Sequence, residues 1–378
     1  MSYDTREPSQ KGTRELTRTS LLLSGMAVMV ALIVGCASAP RDFSTFCEKL
    51  FDSAIEPHEA NESEDTIYQR HQVSKDHFAY AVFSNNAYDT DNTDFITKIA
   101  LPTGWIDFCE KNPNNDPCKV DRSSRGFEAR TYLKFPAGGD AMGARPTEIV
   151  FAFRGTTSIA DWLFGNFLLN QYVRANDYVH LQFAALNKQY AGIVDDVKSG
   201  EKVRLVATGH SLGGGLAEHV AHCFRDLNVH AVSFNTSPRN HKHHCTNREV
   251  QDSGPALFLA RNPSSEEEQD TRTNRIVRIH QHHEILSPVR KQFSSPGYKD
   301  TTYYFLHGNF FSRHSITAIA MGLDKFSACP IELQKGRFSD LSLDALAVYK
   351  NTCKDVKADN PCISIERQQS IWMRPQKP

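Results

Sequence analysis

Seven residues near the middle of this 378-residue chain constrain it most: Gly209-His210-Ser211-Leu212-Gly213-Gly214-Gly215. The five residues 203–207, Val-Arg-Leu-Val-Ala, form a short apolar run of the kind that fills a buried strand. Beyond the corner, Leu212, Leu216, Val220 and Phe224 recur every fourth residue and so line one face of a helix. The G-x-S-x-G spacing between these two runs predicts a turn too tight for side chains beside the serine. Such a turn holds the Ser211 hydroxyl clear of the sheet.

Around this corner, strand-like and helix-like runs alternate, as in a mostly parallel sheet covered by helices on both faces. The pattern predicts strands at residues 129–135, 148–153, 203–207, 229–234 and 275–280, and a helix at residues 178–198. Phe78, Ala79, Ala81, Val82 and Ala87 suit a helix that ends before Asp89. Residues 262–274, with Ser264-Ser265-Glu266-Glu267-Glu268, read as an exposed insertion, and residues 343–378 as a peripheral tail. His219 and His222 are expected on the surface of the helix that follows Ser211, since they lack the spacing of a zinc-binding helix.

The formal net charge of −1 argues against a nucleic-acid footprint. Ahead of the domain, Lys11, Arg14 and Arg18 precede an apolar run at residues 20–34, which is shorter than the ~20 residues of a spanning helix. It closes with Leu32-Ile33-Val34-Gly35-Cys36. This resembles a bacterial lipoprotein signal, which implies removal of residues 1–35, lipidation of Cys36 and, with Ala37 next, an outer-membrane location. Residues 36–65 are then a tether, and residues 66–342 the folded domain. Setting Cys36 aside leaves eight of the nine cysteines, an even number that fits disulfides in an exported chain. Cys109 with Cys118 and Cys353 with Cys362 are the local candidates, each closing a polar, turn-rich loop.

A serine hydroxyl becomes a nucleophile only with a base to take its proton, an acid to orient the base and donors for the oxyanion. Ile149-Val150-Phe151-Ala152-Phe153-Arg154-Gly155-Thr156, then Asp161-Trp162, then the Ser211 corner and Phe234-Asn235-Thr236-Ser237-Pro238-Arg239 together resemble the class 3 (fungal-type) lipases over residues 75–325. The resemblance implies an α/β-hydrolase fold, cleavage of lipid esters through an acyl-enzyme, and no cofactor. It matches Ser211 to the nucleophile and Thr156 to the oxyanion residue, with the N–H of Leu212 as second donor. That family sets an aspartate after a late strand, followed by aliphatic residues and proline; here Glu284-Ile285-Leu286-Ser287-Pro288 has that shape with a glutamate. Asp252, Asp300 and Asp324 remain the other acids. His314 resembles the family's terminal histidine because Ser315-Ile316-Thr317-Ala318-Ile319-Ala320-Met321 after it reads as a helix start, whereas His307 follows a Tyr-Tyr-Phe-Leu run.

Residues 158–170 are either a lid over the acyl groove or a core-facing connection. The clusters His280, His282, His283, Glu284 and His241, His243, His244, Cys245 lack a recognised ligand spacing, so no metal is expected. Two alternatives stand beside a lipase: a phospholipase A1 or polar-ester esterase, and a non-catalytic lipid-binding lipoprotein on a hydrolase scaffold.

Overall fold

Alternation along two neighbouring strands explains why helices cover this sheet on both sides. Ile149, Phe151 and Phe153 join one apolar cluster with Leu205 and Ala207, while Val150 and Ala152 join the opposite cluster with Val206. With a side-chain period of two, every residue of such a strand is buried, so each face needs its own layer of helices. The computed structural model describes residues 64–88, 98–112, 127–136, 144–155, 166–200, 202–237, 245, 264–288, 290, 298–303 and 314–328.

Seven strands lie in sequence order across one sheet: β1 Trp105–Asp107, β2 Ala129–Lys134, β3 Glu148–Phe153, β4 Arg204–His210, β5 His230–Phe234, β6 Ile276–Gln281 and β7 Lys299–Tyr303. The first three pair antiparallel, and β3 through β7 run parallel. The helices are α1 Glu64–Asn86, α2 Phe108–Lys111, α3 Asn166–Gln189, α4 Ile193–Ser199, α5 Leu212–Cys223, α6 Ser265–Arg275 and α7 Ile316–Ala328. Core residues of α3, α4 and α5 share the Phe151 face, and those of α1 and α7 the Val150 face. This is the predicted α/β class, a mostly parallel sheet between helical layers.

Three local expectations are corrected. The single helix at 178–198 is two helices, because Gly192 at φ 82 ends one and caps the next. Residues 262–274 are not a bare insertion. Ser264 and Glu267 form a reciprocal capping box that starts α6, whose Thr271 is fully buried. His219 and His222 are buried rather than on the surface, because α5 lies between the sheet and its neighbours α3 and α6 and every residue of it is buried. There His219 meets the Tyr172 ring edge-on at 4.9 Å. A disulfide between Cys223 and Cys245, which was not among the local candidates, pins the end of α5. Cys109 is also disulfide-bonded, while Cys36, Cys118, Cys353 and Cys362 lie outside the described residues, as do residues 1–35 and the tail at 343–378.

Candidate active site

Ser211 stands between β4 and α5 with φ 58 and ψ −121, a backbone conformation that costs a non-glycine residue about 1–3 kcal/mol. Two glycines make this corner possible by close approach. A Cβ on Gly213 would sit 2.1 Å from the Phe153 carbonyl oxygen, and one on Gly209 would sit 2.3 Å from that of Gly213. Backbone bonds fasten the turn to the next strand. The Ser211 N–H donates to the Phe234 carbonyl at 3.0 Å, and the Ser237 N–H donates to the Ser211 carbonyl at 2.9 Å.

The C-terminal ends of β5 and β6 are tied together at the same edge. Asn235, at φ 42, donates its N–H to the Ile279 carbonyl and accepts from the Gln281 N–H through Oδ1. The chain then turns through His283, at φ 51, and delivers Glu284 into the protein interior, where its side chain is fully buried. Convergence of strand ends at one edge is where open α/β sheets place ligand sites.

His314 arrives from the far end of the chain, one residue before Ser315, whose Oγ accepts the Ala318 N–H and caps α7. Its Nδ1 lies 2.6 Å from Glu284 Oε2. Since an ionised carboxylate only accepts, Nδ1 carries the hydrogen and Nε2 is left as the basic nitrogen. Among the described residues no hydrogen bond engages Nε2, and none joins it to the Ser211 hydroxyl.

The carboxylate of Glu284 is saturated. Oε2 accepts from His314 and from the Leu286 N–H at 2.9 Å; Oε1 accepts from Arg290 and from Ser287 Oγ at 3.3 Å. Burial alone would raise its pKa, but the His314 hydrogen bond and charge, the Arg290 charge and the Leu286 N–H outweigh it and bring it down to about 2. The other acid candidates go elsewhere. Asp300, on β7, lies 3.5 Å from His280, and burial pushes the carboxyl of Asp324, on α7, up to about 6. Asp252 and His307 lie outside the described residues.

Sequence patterns did not reveal a second set of contacts, through His210. Its Nε2 donates to the His314 carbonyl at 2.6 Å, and the two rings lie 4.6 Å apart. Its Nδ1 therefore accepts, here from the Tyr88 hydroxyl at 2.9 Å. Burial, then the neighbouring His314, holds the His210 pKa well below the ordinary value, so the ring is neutral. The residue before the serine thus fastens the backbone of His314 to the corner. Tyr88 in turn accepts a backbone hydrogen bond from Gly155. Gly155 lies against the corner, since a Cβ there would be 3.2 Å from that of Ser211. Thr156, the next residue, is outside the described set, as are residues 156–165 of the connection that leads into α3. Leu212 heads α5, where the N–H has no intrahelical acceptor.

Of the two histidine clusters, His241, His243 and His244 lie outside the described residues. Cys245 is bonded to Cys223, Glu284 is held by His314 and Arg290, and His282 stacks on His283 at 3.7 Å. Among the described residues no group of three or more potential ligands is arranged to hold a metal ion.

Residues 79–256 match a family model described as a Tle-like phospholipase domain. The matched stretch covers just under half of the chain. It includes the Ser211 corner, whereas Glu284 and His314 both fall beyond it. No curated protein matches the sequence significantly. Solved structures similar to the chain include a mutant form of MDLA from Penicillium cyclopium, at 14% identity over 66% of this chain and 83% of that one, with a TM-score of 0.33. Lip2 lipase from Yarrowia lipolytica is 14% identical over 60% of this chain and 78% of its own, with a TM-score of 0.30. The Rhizomucor miehei lipase propeptide complex is 14% identical over 62% and 66%, at 0.25.

Proposed function

We propose that this protein is a serine carboxylic-ester hydrolase acting on lipid esters, phospholipids foremost. The observation that carries the reading is the strained Ser211 corner beside a His314–Glu284 pair that His210 fastens to it. In this reading Ser211 Oγ attacks the ester carbonyl as its proton passes to His314 Nε2. The negative charge that develops on the carbonyl oxygen is met by the N–H of Leu212, at the positive end of α5, and by Thr156. Collapse of the tetrahedral intermediate expels the alcohol, which takes the proton from His314. Water, activated by the same nitrogen, then releases the fatty acid. Glu284, whose pKa is held down to about 2, stays ionised near neutral pH and fixes the imidazole tautomer throughout.

The match of residues 79–256 favours phospholipid over triacylglycerol. Purified protein and its Ser211→Ala variant, given phosphatidylcholine vesicles and a short p-nitrophenyl ester, test the reading. Fatty-acid release that falls by several orders of magnitude in the variant supports it. Release from the short ester alone favours a polar-ester esterase. Vesicle binding without turnover favours a lipid-binding scaffold. We further propose lipidation at Cys36 and an outer-membrane location. Mass spectrometry of protein from a Gram-negative host should find a lipidated N-terminus at Cys36, and a chain that starts elsewhere would overturn that assignment.

A further inference from the structure

Glutamate reaches one methylene further than aspartate and has one more rotor to restrain, so a glutamate acid needs a stronger hold. Arg290 supplies a fork for it. Its Nη2 donates to Glu284 Oε1 and lies 3.5 Å from Ser287 Oγ, while its Nη1 donates to the Thr236 carbonyl at 2.9 Å. That carbonyl belongs to the same peptide unit as the Ser237 N–H, which donates to the carbonyl of Ser211. One guanidinium and one peptide plane therefore connect the carboxylate that holds His314 to the backbone of the nucleophile's turn. The side chains of Arg290 and Glu284 are 8% and 0% exposed, so solvent barely loosens the link.

We propose that Arg290 is a positioning residue that clamps Glu284 and the Ser211 turn in one register through the Thr236–Ser237 peptide. The inference rests on the Ser211–His314–Glu284 reading above. A lysine cannot replace the fork, because a single ammonium does not present two donors along parallel lines to two separate acceptors. The guanidinium also sets a fixed positive charge against Glu284. The other groups facing the pair are His314 from the start of α7, His210 from the end of β4 and His280 from β6. Burial keeps the pKa of His280 at about 4 and that of His210 low, so both rings are neutral at neutral pH. Loss of the guanidinium charge leaves the carboxylate's field unopposed at the base. Protonation of the imidazole is then favoured, and the acid limb of the pH–rate profile moves upward.

Arg290→Lys and Arg290→Met, assayed as full-length protein on a short p-nitrophenyl ester, separate these effects. The lysine variant should lose about tenfold or more in kcat, with KM within about twofold and the acid limb in place. The methionine variant should lose at least as much kcat and shift the limb upward by about one pH unit. Should the methionine variant not fold, the lysine variant decides alone, with its far-UV circular dichroism confirming the fold. Wild-type kcat in Arg290→Lys, or an acid limb in folded Arg290→Met that stays where it was, would overturn the proposal. An active wild type whose turnover survives Ser211→Ala would instead sink the reading beneath it.

Discussion

Glu284→Gln removes a buried negative charge whose contribution to stability can be worked from its titration. The carboxyl ionises at about 2 in the folded protein against an ordinary 4.5, a difference of about 2.5 units. At ~1.4 kcal/mol per unit, ionisation of Glu284 contributes about 3 kcal/mol to folding near neutral pH. The folded pKa is depressed, so this stability is fully present above about 4.5 and is lost as the pH falls towards about 2, where the folded form also takes up the proton. From pH 5 to pH 3 the unfolded chain gains most of a proton that the native state refuses, which removes about 2 kcal/mol. Glutamine has no such proton, and the stranded Arg290 charge costs the variant the same at both pH values. Guanidinium chloride unfolding of the two proteins should therefore give a gap that narrows by about 2 kcal/mol from pH 5 to pH 3. A gap that stays constant would refute the argument that His314 and Arg290 hold Glu284 ionised.

Gly213→Ala should destabilise by about 3 kcal/mol or more, read from thermal unfolding, because the new Cβ lies 2.1 Å from the Phe153 carbonyl oxygen and neither backbone can yield cheaply. Cys223→Ser opens a loop with a sequence separation of 22, and loss of its closure should cost about 3 kcal/mol in denaturant unfolding. Wild-type stability in that variant would mean the bridge constrains nothing. Tyr88→Phe leaves His210 Nδ1 without its donor; it should cost about 1 kcal/mol and lower kcat more than it changes KM. Equal kcat would show that His210 needs no help in holding the backbone of His314.

Strands that carry apolar side chains on both faces were legible because short runs such as Ile149-Val150-Phe151-Ala152-Phe153 have the length and the β-branched and aromatic content of a buried strand. The two edge elements were not. Trp105–Asp107 is three residues long, and Lys299–Tyr303 reads Lys-Asp-Thr-Thr-Tyr, which owes its strand form to pairing with β6 rather than to hydrophobic patterning. His219 and His222 were misjudged because polar residues on a helix usually face water, and this helix is enclosed on all sides. Helix α6 did announce itself, through Ser264 and the glutamate three residues on, but in a run of charges the capping box is easily taken for loop. Ser211 could be proposed from its glycine spacing, whereas Glu284 and His314 came only through the resemblance to the class 3 lipases, since chain order alone left His307 and three aspartates open. Their supports could not be picked either way: Tyr88 reaches His210 across 122 residues and Arg290 touches Thr236 across 54. His210 carried one available signal, its position beside the serine, where its side chain must point away from the sheet and towards the histidine loop.

The central claim is that a side chain at one position, Ser211, is a nucleophile activated by His314. Purified full-length protein treated with a fluorophosphonate probe tests it most directly, because phosphonylation requires the activated hydroxyl and no knowledge of the natural lipid. The account predicts one adduct per chain, mapped by peptide mass spectrometry to Ser211. Labelling should be lost in Ser211→Ala and slowed by orders of magnitude in His314→Ala. A folded protein that takes up no probe, or an adduct on any other residue, would contradict it.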